Sequence, residues 1–179
     1  MTSIRIWSGD AIELAGAADL YARTFAEDPY GEDAEASRVS FIERVQRYAA
    51  EKPHARLQIA WEGTDAVGLA LGAGISAGDW WRDRVVPLLD DEMRARWLRD
   101  ECFCVMEVAV APRHRRGGLA SSLLNRLLAE LPYPTAVLSR NADAEVAGRF
   151  YAAAGWYEIA SGIRIGDSPA LCVLARDLR

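Results

Sequence analysis

The feature that most limits how this chain can fold is the ten-residue run at positions 102–111, CFCVMEVAVA, in which Glu107 is the only charged residue. Apolar side chains at successive positions cannot divide between core and solvent, so the run predicts a central strand covered on both faces. A basic, glycine-bearing loop follows, Arg113-His114-Arg115-Arg116-Gly117-Gly118. Behind it Leu119, Leu123, Leu124, Leu127, Leu128 and Leu131 repeat at helical spacing, and Pro132 stops the helix. Thr135 to Ser139 reads as the next strand. Strand, loop, helix and strand form a β-α-β passage, the unit that builds parallel pairing.

The flanking segments complete the pattern. Residues 4–7 alternate as a short strand, and Asp10 can cap a helix reaching about Ala26. Positions 27–37 hold Pro29, Gly31 and five acidic residues and read as a loop, before a second amphipathic helix from Ala34 or Ser37 to Ala50. Leu57, Ile59 and Trp61 alternate with Gln58, Ala60 and Glu62, which predicts a half-buried strand. A Gly63-Thr64-Asp65 turn joins it to a returning strand at 67–75. Gly68, Gly72 and Gly74 in that strand point to a bulge or a close backbone approach. Residues 78–100 read as one or two helices carrying Trp80, Trp81 and Trp97. Asn141 or Asp143 can cap a helix through Ala154, with Gly155 as its C-terminal glycine, and strands are expected at 156–159, 163–165 and 171–174. The expectation is an α/β fold: a mixed sheet with helices on both faces, in one domain spanning 1–179.

Composition removes several function classes. The 179 residues are 51% apolar and 26% charged, which suits one ordinary domain. Net charge is −5 without a charged tail, so neither nucleic acid nor a membrane surface is an expected partner. No apolar run is long enough to span a bilayer, and the first residues, Met1-Thr2-Ser3-Ile4-Arg5, carry no signal core. Three cysteines without CxxC spacing fit a reduced, cytoplasmic protein. With His54 and His114 as the only histidines, no metal site is expected. Walker and GxGxxG patterns are absent.

The loop at 113–118 is the most informative motif. Arginines cluster where a helix begins, the first helical amides have no internal acceptor, and the helix dipole is positive there. Glycines admit a close ligand. A phosphate or pyrophosphate site answers this arrangement. A solvated basic turn with a glycine hinge answers it too, and the residues alone leave both open.

Two motifs resolve the choice by resemblance. Arg115-Arg116-Gly117-Gly118-Leu119-Ala120 matches [Q/R]-x-x-G-x-[G/A], and Val110-Ala111-Pro112 before it matches a V-x-P strand end. Ala147 to Trp156 matches A-x-x-[F/L]-Y-x-x-x-G-[F/W] through Phe150, Tyr151 and Gly155. In this order, with a strand between them, they resemble the GCN5-related N-acetyltransferases, and the order of elements matches over essentially the whole chain. The resemblance implies the acyl-CoA N-acyltransferase fold, with a mixed, mostly antiparallel sheet. It implies acetyl-CoA as co-substrate without a metal, a small amine or peptide acceptor, and leaves a homodimer open. Loop amides from Arg116 through Gly117, Gly118, Leu119 and Ala120 to Ser121 would hold the pyrophosphate, with Arg115 in the motif. Val108, Ala109 and Val110 would pair with the pantetheine arm and donate to the thioester oxygen. Many members carry an asparagine seven residues before the helix tyrosine; that position is Ala144 here, and Asn141 is the nearest candidate, as a cofactor contact or a simple helix cap.

The chemistry needs an acid for the leaving thiolate and a route for the amine proton. Tyr151, a phenol with an ordinary pKa of about 10, is nominated as acid; a packed core aromatic is the competing reading. Glu107 is nominated as base, because burial raises a carboxylate toward base-competent pKa values. Pairing with an arginine, facing a solvent-filled cleft, and proton loss to water alone are the alternatives. Trp80, Trp81 and Trp97 either wall an acceptor pocket or pack a helix on the sheet. Asp90, Asp91 and Glu92 read as a solvated face, Cys102 and Cys104 as inert core, and His114 as an exposed loop residue. The expected activity is acetyl transfer from acetyl-CoA to a primary amine by direct attack. A non-catalytic acyl-CoA sensor of the same fold, or a transferase of another acyl group, is the alternative.

Overall fold

The computed structural model describes all 179 residues. Seven strands, β1 (Thr2–Ile6), β2 (Arg56–Glu62), β3 (Asp65–Ser76), β4 (Glu101–Val110), β5 (Thr135–Asn141), β6 (Tyr157–Ile163) and β7 (Leu171–Asp177), lie in the order β1-β2-β3-β4-β5-β7-β6. Six α-helices connect them: α1 (Ala11–Phe25), α2 (Ala34–Glu51), α3 (Trp80–Val85), α4 (Asp91–Trp97), α5 (Leu119–Leu128) and α6 (Glu145–Ala153). Phe103 pairs with Ala136 in the parallel β4–β5 ladder, while β1–β2, β2–β3, β5–β7 and β6–β7 are antiparallel. This is the mixed, mostly antiparallel sheet expected. The chain forms two compact units, Met1–Ala73 with Met106–Ala129, and Gly74–Val105 with Glu130–Arg179.

In the first unit α1 and α2 pack on each other. Asp10 accepts hydrogen bonds from the amides of Ile12 and Glu13, and Asp33 accepts one from Ala36, so both helices open on an acidic cap. Their buried stripes, Leu14, Ala18 and Tyr21 with Phe41 and Val45, meet Leu57, Ile59, Leu69 and Leu71 of the sheet. Full burial of one such side chain stabilises by roughly 2–3 kcal/mol. The opposite face meets α5: a Cβ on Gly68 would stand 2.8 Å from Leu123 Cδ1 and 3.2 Å from Leu119 Cδ2. Gly68 therefore marks the close approach the sequence suggested. A bulge sits beside it, since Ala60 pairs with Gly68 but Trp61 with Ala66. Coverage on both sides corrects the reading of β2 as half-buried. Gln58 and Ala60, assigned to solvent, are 7% and 0% exposed.

In the second unit Phe103, Val137, Leu138, Val173 and Leu174 form the buried centre. Thr135 Oγ1 donates to the Trp97 carbonyl at 3.0 Å and anchors the end of α4. Residues 78–100 form α3, a 3₁₀ turn at Val86–Leu88 and α4, each helix capped by aspartate, Asp79 and Asp90. Several boundaries differ from the sequence reading, among them two in the later part of the chain. No separate strand occupies 163–165; β6 runs Tyr157–Ile163 instead. And α5 ends at Leu128, short of Pro132, with Glu130 turning to a positive φ of 55°.

Candidate active site

The loop leaving β4 is built for its glycine. Pro112–His114 makes one 3₁₀ turn, and then Arg116 (φ 64°) and Gly118 (φ 80°) both take the left-handed conformation. For a non-glycine residue such as Arg116 this costs about 1 kcal/mol. A Cβ on Gly118 would meet nothing within 4 Å, so the requirement there is conformational, not steric. Helix α5 then starts without a side-chain cap, and its first bond runs from the Ser122 amide to the Gly118 carbonyl at 3.0 Å. The amides of Leu119, Ala120 and Ser121 precede it and have no acceptor within the helix.

Arg115 is exposed but folds back onto the end of β4. Its Nε donates to the Val110 carbonyl at 3.0 Å, and its terminal nitrogen reaches Glu27 Oε2 at 2.9 Å. The guanidinium thus braces the loop against the segment after α1. His114, expected to be exposed, is instead half-buried: its side chain is 17% accessible, with Nε2 3.1 Å from Glu62 at the end of β2. The 3₁₀ turn folds its ring back on the hairpin.

Along β4, Met106, Glu107 and Val108 are half-buried while the residues on either side are buried, including Ala109 and Val110. Beyond the strand's end, the Ala111 amide donates to the Val67 carbonyl at 2.9 Å. The Glu107 side chain is only 11% accessible. Its Oε1 forms an ion pair with Arg44 of α2 and accepts a hydrogen bond from the Tyr21 hydroxyl of α1 at 3.4 Å. The Arg44 guanidinium also lies over the Tyr21 ring at 5.6 Å, and that ring stacks on Phe25 and Phe41 at 4.4 and 4.6 Å. Burial pushes the Glu107 carboxyl up to about 7; Arg44 opposes that rise, Glu32 adds to it, and the bonds from Arg44 and Tyr21 oppose it again. Burial disfavours the charge on Arg44, yet the facing Glu107 carboxylate holds its pKa above the usual arginine range. Burial, with the Glu107 charge behind it, holds the Tyr21 phenol above its usual range, so it stays a donor. Of the alternatives weighed against a base, the arginine partner is thus present, beside a carboxyl that burial raises.

In the second unit, Tyr151 lies on α6 at 8% exposure, edge-on to Phe150 and Trp156 with centroids 5.0 and 5.7 Å away. Gly155 (φ 78°) ends the helix as expected, and the Trp156 amide donates to the Tyr151 carbonyl at 3.0 Å. The expected cap at Asn141 or Asp143 is corrected. Asn141 is the last residue of β5, and its side chain accepts from the Asp143 amide at 2.9 Å, turning the chain. Ala144 stands at the N-cap position without a side-chain bond. Trp97 is buried and packs beside Tyr157, Trp81 Nε1 donates to Ser139 Oγ at 3.0 Å, and Trp80 is exposed beneath Arg84. Asp90, Asp91 and Glu92 are all exposed, as expected of a solvated face, and Asp90 also caps α4 by accepting from the Met93 amide.

The first unit therefore joins Glu107, Val108, Ala109, Val110 and the loop through Ser121, while Tyr151 and Asn141 belong to the second. Sequence reasoning missed Tyr21, Arg44 and Glu27. Arg44 carried a usable signal: it stands three residues after Phe41 and four before Tyr48, a charge on the buried stripe of its helix.

A mixed sheet in which β4 passes through a left-handed loop into a helix without a side-chain cap makes this an α/β protein with a candidate anion site at a helix N-terminus. The family model of the acetyltransferase (GNAT) family matches residues 17–156, and the chain belongs to that family. In structure it is similar to a GNAT-family protein from Desulfovibrio desulfuricans, with a TM-score of 0.67, 16% identity and 100% of each chain covered. It is also similar to Ard1 from Thermoplasma volcanium, with a TM-score of 0.65, 19% identity, and 98% of this chain and 97% of that one covered. The ribosomal-protein-S18-alanine N-acetyltransferase of Escherichia coli gives a TM-score of 0.63 at 14% identity, over 99% of this chain and 94% of that one. At such identities the likeness establishes the fold. No protein of curated function matches the sequence. No helix is long and apolar enough to cross a membrane.

Proposed function

We propose that this chain, as one catalytic domain, transfers the acetyl group of acetyl-CoA to a primary amine by direct attack. The observation that carries the reading is the left-handed pair Arg116 and Gly118, which follows β4 and leads into α5, whose first amides, those of Leu119, Ala120 and Ser121, have no acceptor within the helix. Those amides, with the backbone from Arg116 onward, would grip the diphosphate of the donor. Arg115 supports the loop through Val110 and Glu27. The backbone of Val108, Ala109 and Val110 would take the pantetheine arm and donate to the thioester oxygen, where negative charge develops. Asn141 is assigned a contact to the donor by its place before α6.

Glu107 is assigned the proton of the attacking amine. A carboxyl that titrates near neutrality is ionised at working pH yet basic enough to accept. As the nitrogen bonds to the acetyl carbon and the carbon–sulfur bond breaks, the thiolate takes the hydroxyl proton of Tyr151. The three buried free cysteines suit a reducing, cytoplasmic setting; burial raises the Cys102 thiol to about 12, which leaves it inert.

The test is release of free CoA from acetyl-, propionyl- and succinyl-CoA across a panel of amines. Fastest release from acetyl-CoA supports the reading, a preference for a longer acyl group revises the donor, and binding without turnover on any amine favours a sensor.

A further inference from the structure

We infer that Arg44 and Tyr21 are positioning residues for the proposed transfer: they hold Glu107 by one oxygen, Oε1, and leave Oε2 as the atom that takes the amine proton. The inference rests on the reading of Glu107 as base and names what makes it one.

Both anchors meet at Oε1, which takes the Arg44 ion pair and the Tyr21 hydrogen bond. They come from different helices, Tyr21 from α1 and Arg44 from α2, so the carboxylate is fixed from two directions. Each anchor is itself fixed. The Tyr21 ring is stacked on Phe25 and Phe41, and Arg44 is 25% accessible and lies across the Tyr21 ring. The charged and titratable groups facing Glu107 are Tyr21 from α1, Glu32 from the segment between the helices, and Arg44 from α2, with Tyr48 behind the arginine.

The arrangement balances two failures. A buried carboxyl with no cation beside it would remain protonated at neutral pH and could accept nothing. A well-solvated one would ionise fully but bind a proton weakly. Arg44 keeps the ionised form available inside a site that would otherwise suppress it. Because the cation and the phenol both bond Oε1, Oε2 is the oxygen the arrangement favours for the incoming proton.

The test titrates the Glu107 carboxyl by carbon-13 NMR in the full-length chain labelled at glutamate, with Glu107→Gln identifying the signal. Arg44→Met is expected to raise the midpoint by about one pH unit or more, Arg44→Lys to restore most of it, and Tyr21→Phe to give a smaller rise. The acid limb of CoA release, measured with acetyl-CoA and the fastest amine of the panel, should move with the NMR midpoint from variant to variant. If Arg44→Met does not fold, Arg44→Lys and Tyr21→Phe carry the comparison. An unchanged midpoint in Arg44→Met and Tyr21→Phe, or an acid limb that stays fixed while the midpoint moves, overturns the inference. Acetyl-CoA binding to the unsubstituted chain is measured separately by calorimetry. No binding there defeats the proposed transfer whatever the titration shows, whereas binding with an unmoved midpoint defeats only the roles of Arg44 and Tyr21.

Discussion

Arg115 and Glu27 form an ion pair of 2.9 Å between the loop that opens α5 and the residues following α1. The same guanidinium holds the Val110 carbonyl, so one side chain fixes the end of β4, the glycine loop and the turn beyond α1. The motif arginine is thereby a brace, and any effect on the proposed donor runs through the loop it holds. Both side chains are nearly half accessible, 43% and 45%. Glu27→Gln should therefore weaken acetyl-CoA binding only by about 0.2–1 kcal/mol, and the difference should fade at high salt. Arg115→Ala, which also frees the Val110 carbonyl, should do more. Calorimetric titration at low and high ionic strength checks both.

The two conformationally distinct glycines of the first unit separate binding from stability. Gly118→Val places a β-branched residue at φ 80° with open space around it, so the strain, about 1–2 kcal/mol, falls on the loop. Acetyl-CoA affinity should be lost while the cooperative thermal transition survives. Gly118→Asn, which tolerates that conformation, should retain much of the affinity. Gly68→Ala meets no conformational barrier, but its new methyl lies 2.8 Å from Leu123 Cδ1 and 3.2 Å from Leu119 Cδ2, so both side chains must repack. It should lower the melting temperature, with overpacking costing about 1–3 kcal/mol.

How much of this was legible in the sequence follows from where the determinants lie. Caps and stripes are local, so Asp10, Gly155 and the leucines of α5 announced their elements. Gly68 announced its close approach because a glycine inside a strand has few other uses. Coverage is not local. Gln58 looked like a solvent-facing residue until α5, sixty positions later, covered it. The same limit hid the partners of Glu107. Its isolation in an apolar strand was visible, but Tyr21 and Arg44 stand 86 and 63 positions earlier. Asn141 misled because a polar residue before a helix resembles a cap, while its backbone remains in the β5 ladder opposite Leu171.

Tyr151 is well suited to a clean substitution. It is packed edge-on against Phe150 and Trp156, and phenylalanine preserves that packing. Tyr151→Phe should leave the melting temperature and acetyl-CoA affinity close to those of the parent. Turnover should fall by about a hundredfold or more if the hydroxyl protonates the leaving thiolate. An unaltered rate with unaltered affinity would leave Tyr151 as a packing residue.

Glu107 gives a prediction that needs no acceptor at all. Its carboxyl titrates near 7 in the folded chain and at an ordinary glutamate value of about 4.3 once unfolded. Between those values the folded state binds more protons than the unfolded one, so unfolding free energy falls as pH rises. The stabilising contribution is full below the unfolded value and is gone above about 7. Relative to Glu107→Gln, which cannot titrate, the parent chain should lose stability across pH 4.5–7, by roughly 3 kcal/mol at most. Thermal unfolding of both proteins over that range reads the difference directly, and parallel curves would mean that burial does not raise the carboxyl. In turnover the sign reverses, because the base must be ionised: activity of the parent should rise through the same midpoint. Glu107→Gln should lose that limb, whereas a limb that persists would assign the amine proton to water.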